Sequence, residues 1–320
     1  MKTLYRKWNC WKITSNNRYV AALGSGITIL TRETFDFVHH FSNIRYIHGG
    51  FFLNDDILVV FTGEQHVHFL HISEKKLLWT CPRSKQLASS GDIRCCQIPG
   101  TKKVACIATG KLGLNQHYFL LIDYDLRTVH LQEIPDCCRV IHSLIWTPTL
   151  GLTCLSYEAK DHNVLLYRII SLAESGDFST LCEWESSQLV NAYSGNYLFM
   201  NDHSNKEPHL RIYKIIKPHQ SQNCVQANVA QLEIMPFFYA NGLVGDRKIY
   251  LPSISWIDEA SGLLVACTTD WLGVYDFLNE QLISEYNYKN IACVTVIDEN
   301  LFIGCTPGLV VKKLFFPTSP

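Results

Sequence analysis

The chain has 320 residues, of which 47% are hydrophobic and 18% are charged, and its formal net charge is −1. A charge so close to zero excludes a general attraction to nucleic acid or to an anionic membrane, so any electrostatic recognition has to come from a local patch. The sequence has no run of about 18 apolar residues, as a membrane-spanning helix needs, and no apolar stretch typical of a signal peptide. We therefore expect a cytoplasmic protein that binds neither nucleic acid nor membrane.

Thirteen cysteines are many for a chain of this length. Five of them lie inside apolar runs, where a thiol behaves as a small hydrophobic group: Cys106, Cys154, Cys267, Cys293 and Cys305. No Cys-x-x-Cys pair is present. We therefore predict free thiols in a reducing compartment, with no metal and no cofactor.

A recurring unit runs along the chain: a short apolar run ends on a small polar residue, a turn follows, and a second apolar run begins. The small polar residues are Ser25, Thr62, Thr109, Ser156, Asn201, Thr269 and Thr306. They are separated by 37, 47, 47, 45, 68 and 37 residues. Units of about forty residues with about four short strands each are typical of propeller blades.

The inner strand of each unit is predicted at 10–14, 44–48, 93–98, 140–145, 189–193, 252–256 and 291–296. The second and third strands are apolar on both faces, as expected when blades stack against each other. In the sixth unit, Thr269-Asp270-Trp271 is predicted to form the turn between these two strands, and not a chemical motif.

The two ends of the chain predict how the ring closes. Only one strand follows Thr306, so residues 3–9 are expected to complete the last blade and to remove both sheet edges. The longest interval places an insertion at about 216–250, which would supply an outer strand near 229–234. The prediction is one domain over 1–320: an all-β, seven-bladed β-propeller of four-stranded blades, with a ring closed by the N-terminal strand.

This layout, with the outer hairpin "FLHISEKKLLWT" at 69–80, resembles the seven-bladed β-propeller superfamily, including WD-repeat and quinoprotein-like repeats. The resemblance implies the fold. It does not imply a function, because propellers include enzymes, receptors and scaffolds.

Four cations are predicted to surround one mouth of the central channel: Arg45, Arg94, Arg139 and Lys289. Three of them stand 17 residues before the small polar residue of their unit, and Arg94 stands 15 before it. A concave rim of one charge attracts anions, and arginine suits carboxylate or phosphate. In the alternative interpretation they are solvated residues, two of them neutralised by Asp92 and Asp136.

Trp271 adds a possible aromatic anchor for a partner, the alternative being that it packs under its own blade. We therefore predict a non-enzymatic scaffold or receptor-like propeller that binds a protein partner through an acidic or phosphorylated segment, or that binds another anionic group. The alternative is a lactonase-like hydrolase or ligand sensor that uses the channel.

No catalytic residue is assigned. The predicted inner strands contain no Asp or Glu, which argues against a catalytic hard-cation centre. His66 and His68 share one face of a strand and could begin a zinc site, or they are simply strand histidines. Asp161-His162 and Asp202-His203 are possible acid/base pairs, or ordinary turn residues.

Overall fold

The structure is a computed structural model that describes residues 2–5, 8–134, 140–161, 164–175, 177–186, 190–194, 197–202, 209–216, 231–234, 253–258, 261–267, 269–276, 278–279 and 281–314. Within these ranges the chain forms strands, turns and bends, and no helix there is long and apolar enough to cross a membrane. In chain order the strands are β1 Lys2–Tyr5, β2 Cys10–Ser15, β3 Tyr19–Gly24, β4 Ile27–Thr31, β5 Phe37–Phe41, β6 Ile47–Phe52, β7 Ile57–Thr62, β8 Val67–His71, β9 Lys76–Cys81, β10 Ile93–Gln97, β11 Lys103–Gly110, β12 Gly113–Asp123, β13 Thr128–Ile134, β14 Val140–Thr147, β15 Gly151–Asp161, β16 Val164–Leu172, β17 Phe178–Ser186, β18 Val190–Ser194, β19 Tyr197–Asp202, β20 His209–Ile216, β21 Gln231–Ile234, β22 Ser253–Asp258, β23 Leu263–Cys267, β24 Trp271–Asp276, β25 Gln281–Asn287, β26 Ile291–Ile297, β27 Asn300–Cys305 and β28 Gly308–Lys313.

These strands form seven four-stranded sheets. Six sheets consist of four strands in sequence order: β2–β5, β6–β9, β10–β13, β14–β17, β18–β21 and β22–β25. The seventh has the order β1-β28-β27-β26 and therefore combines the first described strand with the last three. This is the all-β propeller architecture of four-stranded blades that the sequence predicts.

The N-terminal strand pairs with the end of the chain. β1 is antiparallel to β28, with Lys2 opposite Val311 and Thr3 opposite Val310. The expected pairing partner is therefore present, although the strand covers Lys2–Tyr5 and not 3–9.

The chain divides into two compact units. The first contains Met1–Val60, Phe69–Leu78 and Phe237–Pro320, and the second contains Phe61–His68 and Trp79–Pro236. In each unit the core lies between neighbouring sheets, because each apolar cluster takes side chains from two of them. In the first unit, for example, Leu23 and Ile29 of one sheet pack with Leu58 and Leu70 of the next.

Middle strands of several sheets are buried on both faces. All six residues of β3 and all six of β7 are buried, whereas the outer strand β25 contains only exposed and half-buried residues. This pattern follows from the stacking of sheets on sheets, which removes both faces of a middle strand from water. The apolar runs in the sequence predict these strands correctly.

One inner strand differs from its predicted position. β6 occupies Ile47–Phe52 and not 44–48, because Gly49 and Gly50 are part of the strand. Glycine is a weak strand former, but here it allows a close approach: a Cβ on Gly50 would lie 2.6 Å from the carbonyl oxygen of Val59.

Two further predictions concern connections. The turn at Thr269-Asp270 does lie between β23 and β24, so this motif is a repeat joint. The outer strand expected near 229–234 is β21, which pairs with β20. The remainder of the proposed insertion, 217–230 and 235–250, lies outside the described residues.

Candidate functional site

Several inner strands begin with the same backbone hydrogen bond. In three sheets the residue before the inner strand accepts a backbone hydrogen bond from the end of the second strand: Asn9 from Ser25, Asp92 from Thr109, and Asn290 from Thr306. The next residue of each strand is buried, namely Cys10, Ile93 and Ile291. In the sheet of β6 the corresponding residue is Tyr46, which precedes the buried Ile47. Its backbone is left-handed, with a φ of 53°, as is that of Asn290, with a φ of 59°.

Arg45 and Lys289 are equivalent in this register. Each stands two residues before the first buried residue of its inner strand, and each is exposed. Among the described residues neither forms an ion pair. Asp270 lies beside the segment that carries Lys289, because the backbone N–H of Tyr288 donates to the Asp270 carbonyl at 3.2 Å.

The starts of three inner strands lie side by side in the first unit. The indole N–H of Trp11 in β2 donates to the Ile47 carbonyl of β6 at 2.8 Å. On the other side, the Cys293 thiol of β26 contacts the Cys10 carbonyl of β2 at 3.9 Å. The start of β2 is therefore flanked by the connections that carry Arg45 and Lys289.

Two aromatic residues, which the sequence analysis did not select, complete this region. Trp11 is 38% exposed and Tyr46 is 66% exposed. We call Trp11, Arg45, Tyr46 and Lys289 the cationic–aromatic site. The sequence signal for Tyr46 was its position next to Arg45, in a connection where burial does not require an aromatic residue.

Arg94 does not belong to the same set of positions. It lies inside β10, one residue after the buried Ile93, and so three places later than Arg45 and Lys289 in the common register. Its guanidinium donates from Nε to the His142 carbonyl at 3.1 Å and lies 3.7 Å from a carboxylate oxygen of Asp92. Arg94 therefore connects β10 to β14. The spacing assigned it to the rim of the channel, whereas the structure places it three positions further along, inside the strand.

The remaining predicted cation, Arg139, lies outside the described residues, as do His162 and His203 of the two Asp-His pairs. Their proposed roles stay predictions.

Trp271 is a structural residue. It is only 4% exposed, and its indole N–H donates to a carboxylate oxygen of Glu285 at 3.0 Å. The ring lies over Gly273 of the same strand, where an added Cβ would come within 2.8 Å of the indole Cζ2. The anchor interpretation of Trp271 is wrong, since a buried ring cannot be presented to a partner.

His66 and His68 have ring centroids 5.8 Å apart, and Nδ1 of His68 is 2.9 Å from the hydroxyl of Thr80. Among the described residues, no group of three or more His, Cys, Asp or Glu side chains is arranged to hold a metal. Burial, followed by the charge of His66, lowers the pKa of His68 to about 4 from the usual 6.5.

This shift predicts a loss of stability in acid. Between pH 6.5 and 4 the unfolded chain binds more protons at His68 than the folded chain, so the free energy of unfolding falls as the pH decreases through this interval. Because the His68 side chain is only half-buried, we expect a loss of only about 1–2 kcal/mol. Urea unfolding at several pH values should show a smaller acid loss in His68→Gln than in the wild type. Equal pH profiles would contradict the assignment.

The described cysteines are free thiols, and those in the apolar runs are buried as predicted. Burial raises the pKa of Cys81 to about 12, so its reactive thiolate is scarce at neutral pH. One correction concerns carboxylates: β22 extends to Asp258, so the inner strands do contain an acidic residue, two positions beyond the predicted end.

Comparison with known proteins identifies the fold alone. No protein-family model and no curated protein sequence matches this chain. Among solved structures, it is similar to the beta-propeller domain of Cps50 (Swd1) from Myceliophteria thermophila, with a TM-score of 0.68, 11% identity, and coverage of 97% of this chain and 99% of that one. It is also similar to the computationally designed protein Ika8, with a TM-score of 0.60, 12% identity and 98% coverage of both chains.

Proposed function

We propose that this protein is a non-enzymatic interaction platform that binds an acidic segment of a protein partner at the cationic–aromatic site. The observation that carries the proposal is that Arg45 and Lys289 are exposed, have no ion-pair partner among the described residues, and lie in the connections on either side of the start of β2, the strand that carries the exposed indole of Trp11. Arg45, Tyr46 and Lys289 lie in connections that the strands position, which is common for interaction surfaces.

Two arginines of the same unit differ from Arg45 and Lys289 because each of them forms an ion pair. Arg18 pairs with Asp56 at 2.8 Å, and Arg32 pairs with Asp298 at 2.6 Å. Two cations that form no ion pair with any described residue, at neighbouring strand starts, therefore contribute a local positive charge in a chain whose net charge is −1. An arginine guanidinium also forms paired hydrogen bonds with a carboxylate.

The proposed architecture is one closed ring of seven blades. The seven sheets and the pairing of β1 with β28 support this arrangement. A propeller-domain neighbour is compatible with an interaction role. Free thiols support a reducing, cytoplasmic environment.

Charge reversal tests the proposal. A fluorescently labelled oligo-glutamate peptide should bind the wild-type protein and lose at least about tenfold in affinity with each of Arg45→Glu and Lys289→Glu, because a charge-assisted contact contributes about 1.5–3 kcal/mol. Fluorescence anisotropy at low salt and at about 0.15 M salt measures this, since screening weakens exposed charge pairs.

The matched control is Lys75→Glu, which makes the same charge change at an exposed turn between β8 and β9. It should bind the peptide like the wild type. Peptide binding that survives the double reversal Arg45→Glu/Lys289→Glu, or tighter binding of single-stranded oligonucleotide than of peptide, would overturn the proposal.

A further inference from the structure

Tyr46 has an unusual backbone conformation for an aromatic residue. Its φ is 53°, in the left-handed region, which bulky side chains avoid and which asparagine and glycine adopt more readily. The equivalent residue before β26 is Asn290, with a φ of 59°. The chain itself therefore shows that asparagine fits this position, so the fold does not require a tyrosine there.

The side chain of Tyr46 also contributes little to the core. It is 66% exposed and has no hydrogen bond or ring contact among the described residues. A strained, exposed aromatic residue with no packing role is typical of a functional site.

Trp11 is held beside Tyr46 by a hydrogen bond that occupies its only polar atom, the indole nitrogen. Its N–H donates to the carbonyl of Ile47, the residue that follows Tyr46. The indole therefore offers only apolar ring surface to a ligand, and the bond restricts the orientation of the ring. An aromatic side chain held in this way makes a low-entropy contact surface for an apolar group.

We infer that the acidic segment bound at this site also carries a large apolar or aromatic side chain, which contacts Trp11 and Tyr46 while its neighbouring carboxylates contact Arg45 and Lys289. The inference rests on the proposed function and specifies its partner. An apolar anchor with charges at its rim is a common arrangement in protein interfaces.

Peptide selection tests this without assuming a partner. Short random peptides displayed on phage are selected on the immobilised full chain and counter-selected on Arg45→Glu/Lys289→Glu. The selected peptides should be enriched in both acidic and aromatic residues. Acidic peptides without aromatic enrichment would overturn the inference and leave the proposed function in place. Recovery of no acidic peptides would overturn both.

The decisive variant is Tyr46→Asn. We expect it to unfold at the same temperature as the wild type or at a higher one, because it removes the backbone strain, and to bind a selected peptide about tenfold more weakly. Replacing the aromatic residue of that peptide by alanine should weaken binding to the wild type by a similar factor and have almost no effect on Tyr46→Asn.

Two controls accompany this variant. Tyr46→Phe should retain binding, and Leu126→Asn, which removes a side chain that is 72% exposed in another turn, should leave binding unchanged. If Tyr46→Asn unfolds at a clearly lower temperature, the residue is structural and the inference fails. It also fails if Tyr46→Asn binds the selected peptide as tightly as the wild type does.

Discussion

Replacing Gly304 by valine is expected to reduce the free energy of unfolding by about 3 kcal/mol, the upper range for overpacking a buried site. Gly304 lies in β27 opposite Cys293 of β26. A Cβ at this position would come within 2.5 Å of the Cys293 sulfur and within 2.6 Å of the Cys10 carbonyl oxygen. The Cys293 sulfur can move by rotation of its side chain, but the Cys10 carbonyl can move only if the backbone of β2 shifts.

Urea unfolding of Gly304→Ala, Cys293→Ala and the double variant separates these two contacts. The double variant should recover part of the loss caused by Gly304→Ala, because the nearest atom is gone, but not all of it, because the Cys10 carbonyl remains. Additive losses would show that Gly304 does not make room for the thiol.

Truncating Trp271 to alanine should cost about 3–5 kcal/mol, the usual effect of removing a buried aromatic side chain. The loss combines the cavity left between β24 and its neighbours with the loss of the hydrogen bond to Glu285. Trp271→Phe keeps most of the apolar volume and should cost clearly less.

Thermal unfolding and peptide binding of these variants discriminate the two roles of this residue. A structural Trp271 predicts a large fall in Tm with peptide affinity retained by the folded fraction. A Trp271→Ala protein with wild-type Tm and lost binding would instead restore the anchor interpretation. The sequence already contained the relevant signal, since Gly273 lies two residues later on the same strand face and leaves space for a ring.

The sequence repeat predicted the fold well because its apolar runs mark the residues that are buried in the folded protein. Apolar runs with a regular spacing specify strands whose two faces are both covered, and β3 and β7 agree with this closely. The shift of β6 from its predicted position arose where a glycine is buried for close packing, at Gly50, which patterns of hydrophobicity do not reveal.

The site was predicted less well than the fold, for a reason of register. Ile291 precedes Thr306 by 15 residues, whereas Ile93 precedes Thr109 by 16. Counting back from the small polar residue already leaves Arg94 two positions away from Arg45 and Lys289, and this irregularity adds the third, so counting from the buried isoleucine places Arg94 within the strand. A one-residue irregularity is invisible until the ladder hydrogen bonds are known.

Tyr46 was missed because its significance is conformational. Its neighbour Arg45 was identified by charge, but nothing in the letters of the sequence shows a positive φ or the exposed ring that results. Only the comparison with Asn290, made possible by the common register, shows that an ordinary turn residue would serve there.

The pairing of Lys2 with Val311 has a consequence for how the protein is made. Six sheets use strands that leave the ribosome one after another, so each can assemble locally and early. The sheet of β26–β28 also needs β1, which comes from the opposite end of the described residues, and closing so long a loop is slow. Until β28 has been synthesised, β1 has no partner and the nascent chain carries an open edge that chaperones or neighbouring chains can reach.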